Sequence, residues 1–171
     1  IKSPGISDDL EIIDFYRKNG IKVISEIEFA FNFSKSKIIG ITGSNGKTTT
    51  TTLVHKLISD ANISCSISGN IGNSFSKVCE DSVQYSTVEL SSFQLDGVEK
   101  FRPHIAILTG ISQDHLDRYK NYSAYIEAKF KITKNQSEND YLIYNSDCDE
   151  TNKYIKTNKI NSILLPFSIK K

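Results

Sequence analysis

Apolar and polar positions along this chain fall into blocks that switch period. Short β-branched and aromatic runs at 37–42 (KIIGIT), 63–68 (ISCSIS), 85–90 (YSTVEL), 104–109 (HIAILT), 141–144 (YLIY) and 160–165 (INSILL) read as strands. Between them, apolar residues recur every three or four positions and predict helices. One opens at Ser7, with Asp8 and Asp9 in its first turn and Leu10, Ile13, Phe15 and Tyr16 as apolar positions up to about Lys18. Asn19-Gly20 ends it, and a short strand is expected at 21–24. Further helices are expected at 26–33, from Lys47 to about Asp60, as a single turn at 75–79, at 122–135 and near 149–156. Strand and helix alternate down the chain, so the expected fold class is α/β, a mostly parallel sheet with helices on both faces. Ligands of such sheets lie at the carboxyl ends of the strands, and the polar residues that follow each strand should converge there.

The most specific of these junctions is GITGSNGKTTT, residues 40–50. Strand, glycine-rich turn, Lys-Thr and helix build a nucleoside triphosphate site. Glycines let the backbone approach the phosphates, and free N–H groups at the helix start receive the charge. Gly43, Ser44, Asn45, Gly46, Lys47, Thr48 and Thr49 are the candidate phosphate-binding residues, with Lys47 reaching the outer phosphates and the Thr48 hydroxyl on Mg²⁺. The spacing is not that of the ordinary P-loop, because Ile41 stands where its first glycine would be. Gly40, Gly43 and Gly46 give G-x-x-G-x-x-G-K-T-T instead.

Composition narrows the classes. Lysine and arginine number 21 against 20 acids, a net charge of +1 with 38% hydrophobic residues, which predicts neither a polybasic nucleic-acid surface nor an acidic tail. No apolar run approaches the ~20 residues that span a bilayer. The start, Ile1-Lys2-Ser3-Pro4-Gly5, lacks the apolar core of a signal peptide. Cys65, Cys79 and Cys148 are widely spaced with no CxxC and read as reduced cytosolic thiols. The chain contains no methionine, so a fragment or processed product is expected.

Four more segments carry candidate chemistry: SGNIGNS (68–74), STVELSSFQL (86–95), GISQDHLDRY (110–119) and YIEAKFKI (125–132). Glu89 interrupts an apolar strand. Buried and unpaired it would be costly, and a Mg²⁺ ion shared with Thr48 would compensate it; the alternative is a solvent-facing glutamate. His115, between Asp114 and Asp117, reads as a metal ligand, an orienting group or a surface residue. Lys129, flanked by Ala128 and Phe130, reads by itself as a lysine snorkelling to the surface.

Together these segments resemble the Mur ligases, from Ser3 to about Asp147. ELSSFQL and DHLDRY are the forms of the branch that adds D-glutamate. Members adding diaminopimelate or lysine would show SSHAL, those adding D-Ala-D-Ala a GMN-type segment, and the related folylpolyglutamate synthases GKGS in place of GKTT. The resemblance implies an ATP-dependent amide ligase that joins D-glutamate to UDP-N-acetylmuramoyl-L-alanine through an acyl phosphate in peptidoglycan synthesis. The alternatives are another Mur-type or folylpolyglutamate-type ligase, or a P-loop kinase or NTPase module.

By the same resemblance, residues 43–49 bind ATP, Thr48 and Glu89 hold one Mg²⁺, and His115 and Lys129 serve a second metal. Lys129 would be carbamylated by CO₂, the carbamate supplying anionic oxygen, and Asn70 and His115 would contact the UDP-sugar. Lys47, His115 and Lys129 are the implied catalytic set. Two departures stand out: Gly110 where the family often has Asn, and Gln113 where it usually has Glu. The resemblance further implies that residues 1–34 are the end of an amino-terminal uridine-binding domain with a linker. Residues 35–171 would be the central ATP-binding domain, with the carboxy-terminal domain absent. The expected protein is monomeric and cytoplasmic, with no nucleic-acid or membrane partner, and the fragment alone is expected to be inactive.

Overall fold

A computed structural model describes residues 1–6, 10–70, 72–113 and 119–170. Six strands form one sheet: β1 (Lys37–Thr42), β2 (Cys65–Gly69), β3 (Tyr85–Glu89), β4 (Ile105–Leu108), β5 (Tyr141–Asn145) and β6 (Ile163–Phe167). Their order is β2-β3-β1-β4-β5-β6, and every pairing is parallel. The helices are α1 (Glu11–Lys18), α2 (Glu26–Phe31), α3 (Lys47–Asp60), α4 (Phe75–Val78), α5 (Ser92–Asp96), α6 (Tyr122–Phe130) and α7 (Asp149–Thr157). The α/β expectation therefore holds. Among the described residues no helix is long and apolar enough to cross a membrane, and the three cysteines are free thiols.

β1 shows why its sequence is nearly continuous in apolar residues. Ile39 and Ile41 pack with Ile107, Val54 and Ile58 under α3, whereas Ile38 faces the opposite core of Val88, Leu90, Ala106, Leu108 and Phe130. A strand buried on both faces has no polar side to show. Gly40 belongs to this packing rather than to the phosphate loop. A Cβ there would lie 3.2 Å from the side chains of Leu90 and Ile132.

Three expectations change, and a fourth lies outside the described residues. Residues 21–24 form no strand; Ile24 accepts a hydrogen bond from the Lys2 N–H, but this segment has no ladder beside it beyond a single bridge of Lys2 to Ser25. The helix expected over 122–135 leaves α geometry after Phe130 for a 3₁₀ turn, Lys131–Thr133. The predicted cap at 7–9 lies outside the described residues; α1 begins after Leu10 with no side-chain cap. Helix α5 stands where no helix is expected, although its start is legible: Ser91 and Gln94 form a reciprocal capping box.

The segment before β1 is tied into the same body. Ile27 and Ala30 of α2 are fully buried in the main core. The buried Glu28 carboxylate accepts the N–H groups of Glu99, Lys100 and Phe101 at 3.0, 2.8 and 3.0 Å. Ser34, Ser36, Ser86 and Ser66 form a chain of hydroxyl contacts of 2.7–3.0 Å across the sheet margin.

Candidate active site

The carboxyl ends of β1, β3, β2 and β4 meet at one edge of the sheet, and the loop from β1 to α3 lies at their centre. Its path demands glycine twice. At Gly43 (φ +151°) a Cβ would stand 1.9 Å from Thr109 Oγ1, so no larger residue fits. Gly46 (φ +79°) takes the left-handed turn that starts α3. The loop is pinned from β4: Ser44 N–H donates to the Gly110 carbonyl at 2.9 Å, and Thr109 Oγ1 donates to the Asn45 carbonyl at 2.7 Å. Residues 45, 46, 48 and 49 are exposed, and the first-turn N–H groups of α3 open beside them.

The Lys47 ammonium folds back over the loop, donating to the carbonyls of Gly43 (3.0 Å) and Ser44 (2.9 Å). Thr48 Oγ1 donates to Glu89 Oε2 at 2.8 Å. Glu89 is only 1% exposed, and Asn70 Nδ2 donates to its other oxygen at 3.0 Å. Close approach at Gly69 makes this possible, since a Cβ there would fall 2.1 Å from the Glu89 carbonyl. Glu89 is thus not the solvent-facing glutamate of the alternative reading. It is a buried carboxylate satisfied by two neutral donors, next to a threonine hydroxyl at the start of a helix. Oxygen donors of this kind suit a hard cation such as Mg²⁺. The glycine cradle and the open N–H groups suit a phosphate chain.

Lys129 is 2% exposed and does not snorkel. Its ammonium donates to the Gly43 carbonyl at 2.8 Å, the same oxygen that Lys47 engages, and stands 4.5 Å over the Tyr125 ring. Local sequence could not reveal this, because the partner lies 86 residues away. Lys47, Thr48, Glu89, Asn70 and Lys129 are therefore brought together around the phosphate loop. His115 lies outside the described residues.

Sequence reasoning passes over Tyr125 and Ser44 as a pair. Their hydroxyls meet at 3.0 Å in the interior, and Ser44 also exchanges two 3.0 Å hydrogen bonds with the backbone of Ser112. Behind Tyr125 lies Tyr119, whose hydroxyl donates to Asp96 at 2.7 Å. Burial foremost, and the neighbouring Asp96 carboxylate, push that hydroxyl well above the ordinary phenol range, so it remains a neutral donor. Beside the loop a cavity of about 290 Å³ is lined by residues that include Ser44, Asn45, Gly110, Asn145 and Cys148. At Gly110 an added Cβ would meet only Asn145 Nδ2, at 3.9 Å, so glycine here opens the cavity wall.

The chain is similar in sequence and fold to known proteins. The chain is 52% identical over its whole length to a UDP-N-acetylmuramoylalanine--D-glutamate ligase of Christiangramia forsetii. It is 45% identical over 98% of its length to one of Bacteroides fragilis, and 44% over 98% to one of Listeria monocytogenes. It spans 39%, 38% and 37% of those relatives. Among solved structures, a UDP-N-acetylmuramoyl-L-alanyl-D-glutamate--2,6-diaminopimelate ligase superposes with a TM-score of 0.66 at 23% identity, over 85% of this chain and 34% of its own. The MurF ligase of Thermotoga maritima in complex with ADP gives 0.65 at 18% identity, over 94% and 44%. These likenesses concern the fold. The Mur ligase middle domain matches residues 41–171, most of the chain and all of the phosphate loop from Thr42 onward, and the chain belongs to that family.

Proposed function

We propose that the protein carrying this chain is an ATP-dependent amide ligase that joins D-glutamate to UDP-N-acetylmuramoyl-L-alanine. The observation that carries the reading is the convergence of a glycine phosphate cradle, Lys47, Thr48 and the buried Glu89 at one sheet edge. Substrate identity rests on the relatives, three of which bear the name of the D-glutamate ligase at 44–52% identity. The chain covers less than two fifths of them.

In this reading the alanyl carboxylate takes the terminal phosphoryl group of ATP and ADP leaves. The D-glutamate amine then displaces phosphate, and an amide forms. Such transfer needs positioning and charge neutralisation more than covalent help. Loop N–H groups and Lys47 hold the phosphates, for which Lys47 exchanges two backbone carbonyls. Thr48 and Glu89 would hold Mg²⁺, which supplies charge neutralisation to the phosphates. Glu89 is already buried and aligned for that role, and Asn70 holds its second oxygen.

Lys129 and His115 are assigned to a second cation, with Lys129 carbamylated: its amine adds CO₂ and releases a proton, turning a cation into an oxygen ligand. Residues 1–34 are assigned to the end of a uridine-binding domain and its linker, of which α2 packs onto the core of the sheet, and the protein to a monomeric cytoplasmic state.

The test is a ligation assay on the full-length protein with ATP, Mg²⁺ and UDP-N-acetylmuramoyl-L-alanine. ADP and the amide should form with D-glutamate and not with diaminopimelate or D-Ala-D-Ala. ADP release without an amide, or ligation of another amino acid, overturns the reading. Lys129→Ala should abolish ligation and recover part of it in acetate. A variant with wild-type activity would remove the carbamate from the account.

A further inference from the structure

We propose that Tyr125 is a positioning residue that locks the phosphate loop, the segment after β4 and Lys129 into one unit. The proposal rests on the ligase reading for its chemistry and on α6 for its geometry. Tyr125 and Lys129 are one helical turn apart, so both project from the same side of α6. The Tyr125 side chain is fully buried. Its ring lies 4.5 Å beneath the Lys129 ammonium, and its hydroxyl reaches Ser44 Oγ at 3.0 Å.

Proton counting fixes the direction of that contact. Ser44 Oγ has one proton and two lone pairs. The proton goes to the Ser112 carbonyl, and one lone pair accepts the Ser112 N–H. The lone pair that remains can only accept, so Tyr125 donates. Ser44 is thereby saturated by two other segments of the chain, and the loop backbone at 43–45 is held between β4 and α6. The ring has a separate role: it packs beneath the Lys129 side chain and fixes where its nitrogen, 2.8 Å from the Gly43 carbonyl, is held.

Tyr125 is itself held from behind. The edge of Tyr119 packs against it at 5.4 Å, Tyr119 stacks on Phe93 of α5 at 5.8 Å, and Asp96 anchors the Tyr119 hydroxyl. A phenylalanine at 125 would fill the same space. The hydroxyl therefore contributes nothing to apolar packing, and its hydrogen bond to Ser44 helps offset the cost of burying it. This supported shell is what a site needs to keep its donors in place before substrate arrives.

Two variants separate hydroxyl from ring. In the full-length protein Tyr125→Phe removes the hydroxyl and keeps the ring. ATP·Mg²⁺ should then bind about 5- to 10-fold more weakly by calorimetric titration, with KM for ATP raised in parallel and kcat within about 2-fold of wild type. Tyr125→Leu also removes the ring face and should in addition lower kcat at least about 10-fold. Because the hydroxyl acts through Ser44, Tyr125→Phe should have no further effect on ATP affinity in a Ser44→Ala background.

Tyr125→Phe with wild-type ATP affinity, or an effect that adds in full to that of Ser44→Ala, would overturn the proposal. Titration does not depend on ligation. A wild type that binds ATP but forms no amide defeats the ligase reading and leaves Tyr125 to be judged by affinity. A wild type that binds no ATP defeats both.

Discussion

Two buried carboxylates at opposite ends of the sheet are held in opposite ways. Asp140, before β5, is 3% exposed and gathers Arg102 Nε at 2.7 Å, His104 Nδ1 at 3.2 Å and the Ser137 N–H at 2.8 Å. Burial alone would raise its pKa. The Ser137 N–H, Arg102 and His104 outweigh burial and hold the carboxyl below its ordinary value of 3.8. Glu89, at the carboxyl end of β3, has Thr48 and Asn70 as its two side-chain donors, both neutral. Glu28 resembles Asp140 in being saturated, in its case by three backbone N–H groups. The difference separates architecture from chemistry. A carboxylate surrounded by charge or by fixed backbone donors has no reason to exchange partners. One held by a threonine hydroxyl and a carboxamide can admit a cation, and it lies where the phosphate loop opens.

The comparison breaks most visibly at the loop end. Glu89→Gln in the full-length protein keeps the size but removes the charge and turns one acceptor oxygen into an NH2 donor. Ligation should fall about 10³-fold, as expected when several kcal/mol of cation-borne charge stabilisation are lost. Its unfolding midpoint should stay near wild type. Lys47→Ala should follow at about 10²- to 10³-fold in kcat/KM, because Lys47 is the cation of the motif and Lys129, the other ammonium at the loop, is buried at the Gly43 carbonyl. Steady-state kinetics with a thermal melt on the same samples check both, and activity near wild type would return either residue to a structural role.

At the other end the expectation reverses. Asp140→Asn should leave kcat unchanged and lower stability by about 1–3 kcal/mol, since the Arg102 guanidinium loses its charged acceptor in a largely buried place. The sign with pH follows from the depressed pKa. The Asp140 contribution is complete above the ordinary value of 3.8 and is lost as pH falls through the lower folded value. The stability gap between wild type and variant, measured by urea unfolding, should therefore close in acid. A gap that widened in acid would contradict the assignment.

Much of the fold and site is legible in the chain because the signals are local. β1 and α3 begin and end where the apolar run, the glycines and Lys47 predict, and Glu89 is conspicuous as an acid in an apolar strand. What stays hidden depends on distant partners. The burial of Lys129 is decided by the Gly43 carbonyl, and the buried Tyr125 hydroxyl by Ser44, 81 residues earlier. Residues 21–24 carry a strand-like composition, but no ladder forms beside them. Helix α5 is a different case, since its signal is local and easily missed. Ser91 and Gln94 look like polar residues trailing a strand until their spacing is read as a capping box.

The central claim, that Glu89 is the carboxylate kept for a cation, is tested most directly by Mn²⁺ as a paramagnetic stand-in for Mg²⁺. Electron paramagnetic resonance titrations would compare full-length wild type, Glu89→Gln and Asp140→Asn, each saturated with ATP. The account predicts that Asp140→Asn binds Mn²⁺ as wild type does, while Glu89→Gln binds it at least about 10-fold more weakly. Equal Mn²⁺ affinity in Glu89→Gln and wild type would contradict it.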